Sequence, residues 1–192
     1  MAEVVWHHGS VDREKRLAIT GGRGVTVWLT GLSGSGKSTI AHRVEELLVD
    51  GARAAYVLDG DNLRHGLNSD LGFSPDDRSE NVRRVGEVAR LLSDAGIVVL
   101  VPLISPYAAD RRRVSDAHDD AGLRFVEVYV DTPIEVCEER DTKGMYARAR
   151  AGEISDFTGV DAPYEPPENP DLVLHPAELS IDECAARVVG IV

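Results

Sequence analysis

Apolar and polar residues switch between two periods along this chain. Val25-Thr26-Val27-Trp28-Leu29-Thr30 is a β-rich run. Beyond a glycine-rich loop, Ile40, Ala41, Val44, Leu47 and Leu48 form a stripe at helical spacing, which predicts a helix over Ser38–Asp50 that stops at Gly51. Ala54–Leu58 reads as a second strand ending at Asp59-Gly60-Asp61. A long helix is predicted near Asp76–Ala95, with Val82, Val85, Ala89 and Leu92 on one face and Gly96 as its stop. Ile97–Ile104 is apolar throughout, the pattern of a strand buried on both faces. Pro102 interrupts it, and pairing should weaken there because proline has no N–H to give. A basic helix over Ala109–Ala121, a strand over Arg124–Val130 and a short helix over Pro133–Arg140 complete the middle of the chain. Asp171–Leu174 reads as the last strand and Ser180–Val192 as the closing helix.

Residues 1–24 read as an N-terminal arm, amphipathic around Val11–Leu17 and ending in a Gly-Gly-Arg-Gly turn. Residues 141–170 are rich in Gly, Pro and charge and show no sustained period, which suggests a functional lid or a disordered insert. Elsewhere β and α alternate, so one α/β domain spanning 1–192, with a parallel sheet covered by helices on both faces, is the economical fold.

Composition narrows the class. The 192 residues suffice for one sizeable core. No apolar run approaches a membrane span, and the first residues lack the basic-then-apolar layout of a signal peptide. Cys137 and Cys184 each fall among apolar neighbours on a predicted helix, which points to buried, reduced thiols and a cytoplasmic setting. The net charge of −12 opposes binding to nucleic acid or an anionic membrane, but not to a small anion held by a local cluster. Lys15, Lys37 and Lys143 are the three lysines, against 18 arginines among 21 basic residues, so the lysines at chemically placed positions stand out.

The loop between the first strand and first helix is Gly31-Leu32-Ser33-Gly34-Ser35-Gly36-Lys37-Ser38-Thr39, which fits the phosphate-binding pattern G-x-x-x-x-G-K-[ST]. A glycine-rich turn that merely carries Lys-Ser is the bland alternative, and the correct flanks on both sides oppose it. Strand, loop and helix together aim backbone N–H groups and a helix N-terminus at a polyphosphate. Lys37 can reach the β- and γ-phosphates and the Ser38 hydroxyl can ligate Mg²⁺, the one metal ion expected, carried with ATP. The six histidines show no metal-ligand spacing.

Three further groups fall beyond the carboxyl ends of strands, where such sheets bind ligands. Asp59 and Asp61 suit either Mg²⁺ held through water or a general base for an acceptor hydroxyl, and Arg64 could fork onto an anion. A plain turn and helix cap at Asp59 or Asp61 is the competing reading. Phe73 can stack on a base, and Arg78 and Asn81 share one helical face, while Asp76 or Asp77 is read as the helix N-cap. Ser105, in Ile104-Ser105-Pro106-Tyr107, is placed to hydrogen-bond a ligand. It lacks an adjacent His or Lys to make it a nucleophile. In the 141–170 segment, Lys143, Arg148, Arg150 and Phe157 could close over phosphates and exclude water, or could simply form a solvated charged loop.

Together these segments resemble the adenylylsulfate kinases of sulfate assimilation. The resemblance runs from Val5-Trp6-His7 through Trp28–Thr39, Asp59–Leu67, Asp70–Ser74, Arg78–Asn81, Ile104–Tyr107, Glu135–Asp141, Lys143-Gly144 and Phe157-Thr158-Gly159. It implies a five-stranded parallel P-loop fold, a homodimer, and transfer of the γ-phosphate of MgATP to the 3′-hydroxyl of adenylylsulfate. By position, Gly31, Ser33, Gly34, Ser35, Gly36, Lys37, Ser38, Thr39 and Arg140 would hold ATP, with Asp59 joining Ser38 at the Mg²⁺. Asp61, Arg64, Phe73, Arg78, Asn81, Ile104, Ser105, Lys143 and Phe157 would contact adenylylsulfate. Asp61 would be the base, and Phe73 and Phe157 would sandwich the adenine. Phosphorylation at Ser105, described for some members, is expected to be dispensable.

Ala108 and Thr142 depart from the usual arginine and proline of the family, and Thr142 is expected to loosen the hinge of the lid. A chain of 192 residues leaves no room for a fused ATP sulfurylase, though a separate sulfurylase partner is compatible. Two rivals stand beside this reading: another P-loop small-molecule kinase, and a non-catalytic nucleotide-binding subunit of a sulfate-activation complex.

Overall fold

The computed structural model describes residues 5, 7, 9–20, 22–141 and 143–192. Trp6 and Thr142 lie outside them. In chain order the elements are α1 (Arg13–Thr20), β1 (Val25–Thr30), α2 (Lys37–Asp50), β2 (Ala55–Val57), α3 (Gly60–Leu63), α4 (Pro75–Asp94), β3 (Val98–Pro102) and α5 (Ala108–Asp120). They continue with β4 (Arg124–Val130), α6 (Ile134–Arg140), α7 (Met145–Arg150), β5 (Leu172–Leu174) and α8 (Ile181–Val189). The strands form one parallel sheet in the order β2-β3-β1-β4-β5.

Strand periodicity divides the core. Val25, Val27 and Leu29 point to one face, where α2 and α8 cover them with Ile40, Val44, Ala185 and Val188. Trp28 points to the other face, where α4 and α5 bring Val82, Val85, Ala89 and Val114. Every residue of β1 and of β3 is buried, as a strand covered by helices on both faces requires. Regular pairing of β3 does end at Pro102, which stands opposite Leu29 as the last residue of the strand. Cys137 and Cys184 are free and buried.

The arm forms α1 across the amino-terminal end of the sheet, away from the ends that bind ligands. Arg13 donates to Asp94 Oδ1 at 2.9 Å and to the carbonyls of Ala121 and Gly122 at 2.9 and 3.1 Å. The guanidinium thus meets the carboxyl ends of α4 and α5, where a cation is favoured.

Two readings need correction. Residues 141–170 are not irregular throughout: they contain α7, which packs Tyr146 and Ala149 with Cys137 and Phe157 in a small core of its own. The N-cap of α4 is Ser74, not Asp76 or Asp77. Its hydroxyl accepts from the Asp77 N–H at 3.2 Å, and Pro75 opens the first turn.

Candidate active site

All five strands end on one side, and a cavity of about 730 Å³ opens there. Its floor is the loop from β1 to α2. Gly34 and Gly36 have φ of 73° and 105°, and a side chain on Gly34 would meet the Cys137 carbonyl at 3.0 Å. Gly31 lies behind the floor at φ 153°, where a Cβ would stand 2.5 Å from the Val130 carbonyl. Ser35 is also behind it, fully buried, with its carbonyl accepting from Thr132 Oγ1 at 2.9 Å.

Lys37 is 7% exposed, and its ammonium donates to the carbonyls of Gly31 and Leu32 at 3.0 and 2.6 Å and to Ser35 Oγ at 3.3 Å. Burial lowers its pKa from 10.5 to about 8, against the raising influence of Cys137, Asp59 and Asp61. A polyphosphate entering the loop would supply the missing negative charge.

Asp59 uses both of its carboxylate oxygens. Oδ1 caps α3 by accepting from the Asp61 N–H at 2.9 Å, and Oδ2 accepts from the Ser38 hydroxyl at 2.8 Å. A hydroxyl and a carboxylate oxygen therefore stand side by side at the end of the phosphate loop, the hard-oxygen donor set that suits Mg²⁺. Asp61 projects from α3 and pairs with Lys143.

On the acceptor side, two polar side chains are held by the protein itself. Arg64 is engaged by its own segment. Its guanidinium lies 4.2 Å from the centroid of Phe73 and donates to the carbonyls of Leu71 and Gly72 at 3.1 and 3.0 Å, so it props the aromatic ring. Phe73 stays 60% exposed. The Ser105 hydroxyl is likewise engaged within the protein. It accepts from Trp28 Nε1 at 3.0 Å and donates to Thr30 Oγ1 at 3.1 Å, in a residue 3% exposed with φ of 40°. These bonds hold a strained turn.

Ser33, Gly34, Gly36, Lys37, Ser38, Thr39 and Arg140 line the cavity on the donor side. Asp59, Asp61, Arg64, Phe73, Arg78, Asn81, Ile104, Ser105 and Lys143 line it on the other. Gly31, Ser35 and Phe157 do not: Phe157 is 9% exposed and packs edge-on against Tyr146 at 4.9 Å.

Sequence reasoning missed five contributors. Tyr146 lines the cavity and donates to the Ser33 carbonyl at 2.9 Å. Leu179 and Ile181 give an apolar wall beside Arg140, with no signal beyond hydrophobicity. Arg111, 3% exposed, binds Glu127 at 2.7 Å and the carbonyls of Ser105 and Glu165 at 2.8 Å each, and so clamps the turn from behind. Glu165 also accepts from the N–H of Ala108, the first residue of α5.

A phosphate loop, a carboxylate base candidate and a framed aromatic thus share one cavity, and the comparisons with known proteins agree with that combination. The family model described as adenylylsulphate kinase matches residues 23–175. The chain belongs to the adenylylsulphate kinase family.

It is 50% identical over 189 residues to the adenylyl-sulfate kinase of Prochlorococcus marinus, covering 98% of this chain and 93% of that one. It is 60% identical over 169 residues to the bifunctional enzyme CysN/CysC of Mycobacterium tuberculosis, covering 88% of this chain and 27% of that protein. The structure of the Mycobacterium tuberculosis APS kinase CysC in complex with AMPPNP and APS superposes with a TM-score of 0.86 at 60% identity, over 88% of this chain and 97% of that one. As a member of this family the chain is a kinase on a P-loop fold.

Proposed function

We propose that the chain transfers the γ-phosphate of ATP to the 3′-hydroxyl of adenylylsulfate, giving 3′-phosphoadenylylsulfate and ADP. The observation that carries this reading is the placement of Asp61, Phe73, Arg78 and Asn81 in the same cavity as the phosphate loop. A nucleotide acceptor needs an aromatic face for its base, cations for its anionic groups and a base for its hydroxyl.

Asp61 takes the proton as the 3′-hydroxyl attacks phosphorus. Lys37 moves its donors from the loop carbonyls to the transferring phosphoryl oxygens, and Lys143 adds charge from the opposite wall. The exposed face of Phe73 receives the acceptor adenine, because Arg64 holds the other face. Phe157 packs on Tyr146 within the 141–170 segment, which acts as a lid that excludes water. Arg140, with Pro176 and Leu179 beside it, borders the ATP adenine. Ser38 and Asp59 would hold Mg²⁺, which when bound neutralises charge on the β- and γ-phosphates. Among the described residues, no three His, Cys, Asp or Glu side chains gather into a metal-binding group, so most ligands of that ion would be phosphate and water oxygens.

The working form is proposed as a homodimer, and a separate ATP sulfurylase supplies a compatible partner. Solution mass by light scattering tests the first. No helix among the described residues is long and apolar enough to cross a membrane.

One assay tests the central reading: coupled ADP release from ATP with adenylylsulfate, set against nucleosides, shikimate and gluconate as acceptors. Release that depends on adenylylsulfate is expected. Release with another acceptor instead would make this a different small-molecule kinase, and release with none would leave a binding subunit.

A further inference from the structure

Tyr146 belongs to neither substrate's expected contacts, yet it touches both halves of the site. Its phenol donates to the carbonyl of Ser33 in the phosphate loop at 2.9 Å. Its ring meets the edge of Phe157, with centroids 4.9 Å apart and planes at 75°. The residues on either side of Phe157 hold Arg78. Its guanidinium donates to Thr158 Oγ1 at 2.5 Å and to the Asp156 carbonyl. Arg78 in turn lines the acceptor side of the cavity and donates to the Phe73 carbonyl at 2.8 Å.

These contacts form a continuous path. It runs from the phosphate loop through Tyr146 and the 156–158 turn to Arg78, and on to the backbone of Phe73. Each link is fixed from outside. Tyr146 is 2% exposed, and burial drives its phenol pKa upward, so it remains a neutral donor. The Asp141 carboxylate accepts from the N–H groups of Met145 at 2.8 Å and Ala147 at 3.1 Å, which pins the helix carrying Tyr146. The Asp161 carboxylate accepts from those of Asp156 at 2.8 Å and Phe157 at 2.6 Å, which pins the turn.

We propose that Tyr146 is a positioning residue that couples the phosphate loop to Arg78 on the acceptor side, so that each substrate's site is set partly by the other's. The proposal rests on adenylylsulfate as the acceptor and adds a residue and a linkage that reading does not contain. Spatial continuity alone is not coupling, so the test must read coupling directly.

Tyr146→Phe keeps the ring contact and removes the phenol's bond to Ser33 together with its interaction with the Cys137 thiol. The expected result is a rise of about three- to ten-fold, the worth of one hydrogen bond, in KM for ATP and also in KM for adenylylsulfate, with little change in melting temperature. Phe157→Leu works from the other end. It should weaken ATP binding measured by calorimetry without any acceptor, and combining it with Tyr146→Phe should add less than the sum of the two effects.

A Tyr146→Phe variant with a raised KM for ATP alone overturns the coupling, as does one that melts earlier with both KM values unchanged. An unaltered ATP affinity in Phe157→Leu overturns it too, and that measurement stands even if Tyr146→Phe folds poorly. Because the calorimetry uses ATP only, a wild-type protein inactive on adenylylsulfate would refute the acceptor and leave the linkage to be judged separately.

Discussion

The ammonium of Lys143 and the carboxylate of Asp61 form an ion pair that joins the segment after α6 to α3 over the mouth of the cavity. Both side chains are about two-thirds exposed, at 65% and 68%, so water screens the pair and its worth to stability is small. In the proposed reaction its value is chemical: it places a cation beside the proposed base, where the transferring phosphoryl group would pass. Asp61→Ala should abolish turnover, with kcat falling by about two to four orders of magnitude, while ATP affinity and melting temperature stay near the wild type. Steady-state kinetics and calorimetry on the same preparation check this. Near-normal turnover would sink the assignment of Asp61.

Lys37 makes ATP binding sensitive to alkaline pH. Its pKa is about 8 in the folded chain against 10.5 ordinarily, so between those values the unfolded chain holds more protons. Burying the ammonium costs stability in full below pH 8, and the cost fades as pH rises toward 10.5. ATP favours the charged form and so should bind with uptake of a proton near pH 8, weakening as the pH climbs beyond it. Titration calorimetry in buffers of different ionisation enthalpy reads the proton directly. Lys37→Ala should lose both the uptake and the turnover, and unchanged catalysis would contradict the role given to the loop.

His118 ties stability to acid pH in the opposite part of the fold. It is fully buried between Thr26 Oγ1 at 2.9 Å and the Val114 carbonyl at 2.8 Å, and burial lowers its pKa below the ordinary 6.5. The unfolded chain therefore takes up the proton first. The neutral ring's contribution is complete above pH 6.5 and is lost as pH falls below it. Urea midpoints at pH 7.5 and 5.5 should differ more for the wild type than for His118→Gln. An equal drop in both would show that other groups cause the acid sensitivity.

Arg111 is expected to support catalysis without touching a substrate. Arg111→Ala leaves the carbonyls of Ser105 and Glu165 without donors and Glu127 without its partner, at a cost of about 2–4 kcal/mol. Since the strained turn at Ser105 borders the acceptor side, KM for adenylylsulfate should rise more than KM for ATP. Equal effects on both would mean that the clamp serves only the fold.

Much of this was legible in the chain where one physical signal dominates. β1 and β4 fall on the residues their apolar runs predicted, and α2, α4 and α5 begin one residue early because capping and loop geometry, not periodicity, set their first turn. α3 is four residues long, too short for any period, and α7 owes its stability to Tyr146 and Ala149 against Cys137 rather than to its own pattern.

Side-chain direction was the harder part of the site. Nothing in Arg111-Arg112-Arg113 reveals which guanidinium turns inward, and only the folded turn shows that the Ser105 hydroxyl is used by Trp28 and Thr30. Arg64 carries the charge expected of an anion ligand and lines the cavity, but its guanidinium is also engaged by Phe73 and two carbonyls, which its sequence position does not reveal.

The sheet ends in two strands of three residues each, β2 and β5. On β2 the outward N–H of Val57 is already taken by the Glu45 carboxylate at 3.0 Å. A parallel sheet this apolar at its centre would be a template for amyloid-like stacking if its margins were long and bare. Short margins, one of them guarded by a carboxylate, deny an incoming chain the run of free backbone groups it would need. Lengthening β2 or replacing Glu45 would therefore show first as lost solubility on concentration, before any change in the chemistry at the other end of the strands.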